Sequence, residues 1–169
     1  TGRGRGKEVL ACAQSADLVI ILIDVFDPQH LDVVKREIYE TGLRINQTPP
    51  LVKISKKIRG GIDFGATVKL TKIDRETIEG ILKEFRLDNC NIVVREDIND
   101  DQLIDVIEGN KKYVPGVIVL NKIDMVDNEE LERIKTIVTP DICISAEKKV
   151  NTEELKGIIF QKLDFMRVY

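Results

Sequence analysis

Four residues, Asn121-Lys122-Ile123-Asp124, directly follow the apolar run Val117-Ile-Val-Leu120, and their types suit the reading of one planar heterocycle. A carboxylate accepts two hydrogen bonds from an edge with adjacent N–H donors, which guanine presents at N1 and its exocyclic N2 and adenine does not. Asp124 would therefore set guanine specificity. Asn121 can hold the loop and approach the other edge of the base, and the Lys122 stem can cover a ring face while its ammonium stays in water. N-K-x-D is a guanine-reading pattern, and the same four residues also fit a strand-end turn closed by an Asx cap.

Ser145-Ala146-Glu147 begins 21 residues after Asp124 and follows a second apolar run, Ile142-Cys-Ile144. Alone this triplet reads as a solvated turn, but its place after the next strand strengthens the pairing with Asn121–Asp124. The phosphate-cradling pattern G-x-x-x-x-G-K-[ST] does not occur. Gly6-Lys7 is a decoy, because Glu8 replaces the hydroxyl residue, Thr1 stands in place of the first glycine and no strand precedes it.

The elements that position these residues follow from apolar periodicity. Leu18-Val-Ile-Ile-Leu-Ile23 is continuous rather than alternating, the pattern of a parallel strand covered on both faces, and it ends in Asp24. Asp27 as cap and Pro28 in the first turn predict a helix with Leu31, Val34 and Ile38 inward, closed by Gly42. The strand Val117–Leu120, a helix from Glu129, the strand Ile142–Ile144 and a final helix with capping-box spacing at Asn151 and Glu154 complete the alternation. A helix over Lys7–Ala16 precedes it. Alternating strands and helices give an α/β fold, a parallel sheet with helices on both faces.

Residues 25–116 separate the first two sheet strands, far more than one crossover needs. An insert is expected there, bordered by Pro49-Pro50 and Pro115-Gly116. Its strands are predicted at Leu51–Ile54, Ala66–Thr71 and Asn91–Val94. Its helices are predicted at Arg75–Arg86, capped by Asp74, and at Asp100–Glu108, with Gly109 past the end. The division is 1–47 and 115–165 for the parallel-sheet domain, 48–114 for a small α+β subdomain, and 166–169 for the start of a linker.

Composition excludes several alternatives. With 43% hydrophobic and 33% charged residues of mixed sign and a net charge of −3, the chain is neither disordered nor a basic coat for nucleic acid, and no DNA partner is expected. No apolar run reaches the roughly 18–20 residues of a membrane span. Three scattered cysteines (Cys12, Cys90, Cys143) and one histidine, His30, give no material for a disulfide framework, zinc site or histidine triad, and fit a reducing cytoplasm. No catalytic or metal-ligating residue is assigned.

Together these residues resemble the developmentally regulated GTP-binding proteins, a branch of the Obg class of translation-factor GTPases, over essentially the whole chain. Gly2-Arg-Gly-Arg-Gly-Lys7 with Val9 is similar to the segment after that family's switch II motif, and Ala16–Asp24 to its next strand. Gly60-Gly61-Ile62, Thr67–Thr71, Arg95-Glu96-Asp97, Ile104–Ile107 and Gly109-Asn110 resemble the family's insert, whose fold is similar to the second domain of ribosomal protein S5. The resemblance implies part of a P-loop GTPase domain, binding of GTP and GDP, hydrolysis in the intact protein but not by this segment alone, a ribosome- and translation-linked role and a small accessory partner protein. It implies that the backbone N–H of Ala146 donates to guanine O6, with Glu147 standing where the family's S-A-K loop has Lys. It also places the phosphate loop and the residues holding Mg2+ before Thr1, and a ubiquitin-like TGS domain after Tyr169.

A second class of function is a ribosome- or RNA-docking module without catalysis. Lys53, Lys56, Lys57 and Arg59, beside Gly60 and Gly61, form a basic loop that could meet RNA phosphate, although charge runs of this size usually form a solvated face. A generic doubly wound nucleotide or sugar enzyme, the third class, predicts no preference for guanine over adenine.

Overall fold

The computed structural model of the chain describes residues 15–163. The glycine-rich start, nearly all of the helix expected over Lys7–Ala16, Cys12 and the linker from residue 166 lie outside them. Two compact units are present, one containing the residues up to Gln47 and from Lys112 onward, the other Thr48–Lys111.

In the first unit, β1 (Val19–Asp24), β7 (Gly116–Asn121) and β8 (Ile142–Cys143) form a parallel sheet in the order β1-β7-β8. Helix α1 (His30–Glu40) and helix α4 (Asn128–Val138) bring Leu31, Ile38, Ile134 and Val138 onto Ile21, Ile23 and Leu120. On the opposite face, α5 (Thr152–Lys162) sets Leu155 and Ile158 against Val117, Val119, Ile142 and Ile144. The continuous apolar run of β7 is thus explained, since both of its faces are covered; β1, expected to be covered on both faces, buries Ile21 and Ile23 but leaves Ile20 and Leu22 44% and 59% exposed among the described residues.

A second parallel pair, β2 (Leu43–Ile45) with β6 (Lys112–Val114), extends this unit. It is missed by pattern reading because its strands carry Arg44, Lys112 and Tyr113. Arg44 is nonetheless buried, donating to the carbonyls of Tyr39 (2.9 Å) and Leu43 (3.2 Å) with its guanidinium over the Tyr39 ring. Lys112–Val114, assigned to the inserted segment by sequence, belongs instead with β2.

The second unit has a mixed sheet in the order β3-β5-β4, formed by β3 (Val52–Lys56), β4 (Ile62–Ala66) and β5 (Cys90–Val94). The β3–β5 pairing is antiparallel and β4–β5 is parallel. Helix α2 (Arg75–Glu84) crosses between β4 and β5, and α3 (Asp100–Glu108) follows. Ile78, Leu82 and Leu103 from these helices are buried against Cys90, Ile92 and Val94. Asp74 caps α2 through the Thr77 amide, Asn99 and Gln102 form a capping box on α3, and Gly109 closes it in the left-handed region.

Three local expectations are corrected. The strand expected over Ala66–Thr71 lies earlier, at Ile62–Ala66, because Ile62 and Phe64 meet Cys90 and Ile92 in register; Thr71 is instead held by Asp97, which accepts from its amide and its hydroxyl. Helix α1 begins two to three residues later than Asp27-Pro28 suggests, and its first position is preceded by Gln29 without a side-chain cap. Asn151 makes no capping box with Glu154, because it sits at φ 59° and its side-chain amide donates to the Cys143 carbonyl at 2.9 Å.

Gly116 opens β7 where β2 passes closest. A Cβ there would overlap the Ile45 side chain and touch the Val19 carbonyl, while the Asn46 amide binds both the N–H and the C=O of Gly116 (2.8 and 3.1 Å). Gly116→Ala is expected to destabilise the first unit by about 1–3 kcal/mol through overpacking. Because Ile45→Ala removes the γ2 methyl that this Cβ would strike, the two losses should be less than additive in the double variant, with all variants measured by urea denaturation.

Candidate functional site

The parallel pairing of β1 with β7 places Asp24 opposite Asn121, and β8 pairs Cys143 with Leu120. Three strands therefore release their chains at one edge of the sheet, the carboxyl edge where open α/β sheets bind ligands. The Ile144 amide continues the sheet by donating to the Leu120 carbonyl (2.8 Å), and the Ile123 amide returns the favour to the Ile144 carbonyl (3.3 Å).

After β7 the chain turns sharply. Lys122 adopts φ 65° and ψ 32°, a left-handed conformation that costs a non-glycine residue about 1 kcal/mol or more, and a 3-10 turn over Ile123–Met125 follows. That turn brings Asp124 back toward the strand end. Its side chain is only 10% exposed and faces Lys148 Nζ at 3.3 Å. The hydroxyl of Ser145, foremost, then the backbone N–H of Asp124 and the Lys148 ammonium hold its carboxyl below the usual range, against the opposing effect of desolvation. Ser145 is fully buried, exchanges backbone hydrogen bonds with Val150 (3.2 and 3.0 Å) and accepts from the Lys148 amide at 3.1 Å.

Asn121 closes the arrangement from the other side. Its side-chain oxygen accepts from the Ala146 N–H at 3.1 Å, so the two loops named from sequence are joined directly. Asn121, Lys122, Asp124, Ser145 and Ala146 all line one cavity of about 350 Å³. Phe26 and Met125, 62% and 59% exposed, add apolar surface to it. This mixture of apolar wall and few convergent polar groups is the usual make-up of a small-molecule site.

Four contributors escaped sequence reading: Asp24, Phe26, Met125 and Lys148. Asp24 had a signal, a charge ending an apolar strand, and it pairs with Lys122 Nζ at 2.5 Å. Its carboxyl is lowered chiefly by the bond from Lys122 and then by the Phe26 amide. The other three are ordinary loop residues until the fold brings them together.

A larger opening of about 540 Å³ lies in the second unit beside Phe64, Val68 and Leu70. The polar groups around it are already committed: Asp74 caps α2, and Asp97 holds Thr71 and Lys72. Lys53, Lys56 and Arg59 are exposed, whereas Lys57 is tied to Asp63 at 2.6 Å. His30 is an exposed residue of α1. Cys90 and Cys143 are free thiols whose pKa is pushed up, by burial first. No cluster of metal-ligating side chains occurs among the described residues, and no described helix is long and apolar enough to cross a membrane.

Residues 59–165 match the family model described as the C-terminal region of the MMR_HSR1 domain. The chain is 46% identical to an uncharacterized GTP-binding protein of Methanocaldococcus jannaschii, over 100% of this chain and 44% of that protein. It is 38% identical to developmentally-regulated GTP-binding protein 1 of Xenopus laevis and 38% identical to ribosome-interacting GTPase 1 of Saccharomyces cerevisiae, in each case over 99% of this chain and 46% of the relative. The chain thus spans less than half the length of these relatives. The fold and the family model define the C-terminal region of a GTPase domain. Within that class, the chain belongs to the developmentally regulated GTP-binding protein family.

The Ser145–Asp124 bond generates a test. Because Asp124 is lowered in the folded state, its contribution to stability is complete above the ordinary value of 3.8 and is lost as pH falls through the lowered value. Ser145→Ala should move the Asp124 titration upward, read by carboxyl carbon NMR, and should shrink the acid-side loss, which still starts near the ordinary value of 3.8 but is complete at a higher pH than in the wild type.

Proposed function

We propose that this segment forms the base-recognising side of a guanine-nucleotide site in a GTPase with a ribosome-linked role. The observation that carries the reading is the convergence of Asn121, Asp124, Ser145 and Ala146 at adjacent ends of parallel strands, with the Ala146 N–H bonded to the Asn121 side chain. Asp124, whose carboxyl is held below its usual range by Ser145 and Lys148, accepts from N1 and N2 of guanine. Asn121 fixes the Ala146 loop at the pocket wall, and the Ala146 N–H, bonded here to Asn121 Oδ1, would exchange that partner for O6 when the base is bound. The Lys122 stem covers the ring. Adenine offers Asp124 no matching pair of donors, so the carboxylate loses water on its open side without gaining the two bonds guanine supplies, which is the physical origin of discrimination.

The names of the relatives support the wider reading, since they describe GTP-binding proteins and, in yeast, a ribosome-interacting GTPase. Hydrolysis belongs to the intact protein. Phosphoryl transfer depends on positioning and charge stabilisation around the phosphates, and Mg2+ would supply part of that charge. Asn121–Asp124 and Ser145-Ala146 are suited to the base, not to the ion. The two-layer α+β arrangement of Thr48–Lys111 fits the expected kinship with the second domain of ribosomal protein S5, and a ribosome-linked role fits a cytoplasmic setting.

In a protein carrying this segment at the full length of its relatives, fluorescent GDP should be displaced by guanine nucleotides about a hundredfold or more better than by adenine nucleotides. Asp124→Asn should shift preference toward xanthine nucleotides, whose exocyclic oxygen accepts from the new amide. Equal binding of guanine and adenine, or no response to Asp124→Asn, would leave Asn121–Asp124 as a capped turn.

The β3–β4 turn favours a second activity in the same protein, docking to ribosomal RNA. Ile58 is 99% exposed at its tip, flanked by the exposed Lys56 and Arg59. Because Lys57 is engaged by Asp63, neutralising Lys56 and Arg59 should reduce the salt dependence of RNA binding by about one unit of slope per residue. Lys57→Gln should reduce it less, and an unchanged slope in all variants would remove this reading.

A further inference from the structure

Asp24 lies at the end of β1, directly beside Asn121, and its carboxylate serves two neighbours at once. Oδ2 is 2.5 Å from Lys122 Nζ, and Oδ1 accepts from the Phe26 N–H at 3.1 Å. The Asp27 amide donates to the Asp24 carbonyl and the Val25 amide to the Asn121 carbonyl, so the turn carrying Phe26 is fastened to both strands. The Phe26 ring is turned outward, 62% exposed, into the cavity that holds Asp124 and Ala146. Lys122 Nζ stands 5.8 Å from its centroid.

These placements are not explained by packing. An outward phenyl ring forgoes the gain of burial, and Val25, its neighbour in sequence, fills the core position instead. A lysine free in water loses side-chain entropy on being held, and here the holding group is an acid that does not belong to the guanine-reading pattern. Exposed rings beside cations are a general platform for bases, because every base has a π-face and the ring tolerates both stacking and a nearby charge.

We propose that Asp24 is a positioning residue for the base: it clamps the Lys122 side chain and the Phe26 turn into one cation–aromatic surface at the pocket. The carboxylate does not itself touch the nucleotide. This inference rests on the guanine reading of Asn121–Asp124. It makes nucleotide affinity depend on a residue outside both recognition loops and assigns Phe26 as the ring that meets the base.

The test is a set of fluorescent GDP titrations on the full-length protein with Asp24→Asn, Lys122→Met, Phe26→Ala and the Asp24→Asn/Lys122→Met pair, and Asp124→Asn in parallel. The Asp24–Lys122 pair is partly exposed, so Asp24→Asn is expected to weaken binding about two- to fivefold. The double variant should be no weaker than the poorer single variant, because both remove one interaction. The difference between wild type and Asp24→Asn should shrink toward unity in roughly 1 M salt, which screens the pair, whereas a folding defect would persist. Wild-type affinity in Asp24→Asn, or a double variant whose loss is the product of the singles, overturns the inference. If Asp124→Asn still moves preference to xanthine in that case, the guanine reading stands alone; if Asp124→Asn is silent too, both fall together.

Discussion

Everything at the candidate site depends on the parallel pairing of β1 with β7. Six residues of each strand are in register, from Val19 with Gly116 to Asp24 with Asn121, and the pairing is buried by α1 and α4 on one side. Parallel strands finish at the same edge, so polar residues that terminate separate apolar runs are delivered to a common place without any contact between the runs in sequence. A slip of one residue would point Ile21 and Ile23 away from the core and carry Asp24 away from Lys122. The energy that fixes the site is therefore mostly apolar burial in the strands, while the polar bonds at the edge select one arrangement of loops.

The parts of the fold legible in sequence were those where one physical demand dominates. Val117–Leu120 read as a buried parallel strand because both of its faces had to be covered, whereas Leu18–Ile23 is a parallel strand with Ile20 and Leu22 exposed among the described residues, and Asp74 and Gly109 read as helix ends because the backbone groups there need partners or a left-handed residue. The failures came where local pattern and tertiary pairing disagreed. Val68 and Leu70 alternate as a strand would, yet Asp97 draws the Thr71 backbone into a loop, and Ile62 and Phe64 take the places beside β5. Asn151 has the spacing of a capping residue, but its amide finds the Cys143 carbonyl first. β2 and β6 were invisible because a three-residue strand holding a buried arginine has no apolar signature.

The same division applies to the site. Asn121, Lys122, Asp124, Ser145 and Ala146 stood out because their types and their position after apolar runs carry a chemical meaning. The structure gathers all five at one cavity. Lys148 and Phe26 have no such mark, since a lysine in a charged loop and an aromatic after a strand acquire roles only from the neighbours that the sheet supplies. The basic residues of the second unit show the converse, where proximity in sequence overstated their common availability: Lys57 spends its charge on Asp63.

The Asn46 side chain, with its two bonds to the backbone of Gly116, ties together the two crossings of the chain that lead out to Thr48–Lys111 and back. With β2 and β6 also paired at this point, the host sheet closes around its own interruption. The interruption thus behaves as a socket. Sequences of different length and shape could be exchanged between Gln47 and Lys112 during evolution while the strand edge bearing Asn121 keeps its form, so the parallel-sheet unit and the inserted unit are free to diverge at different rates.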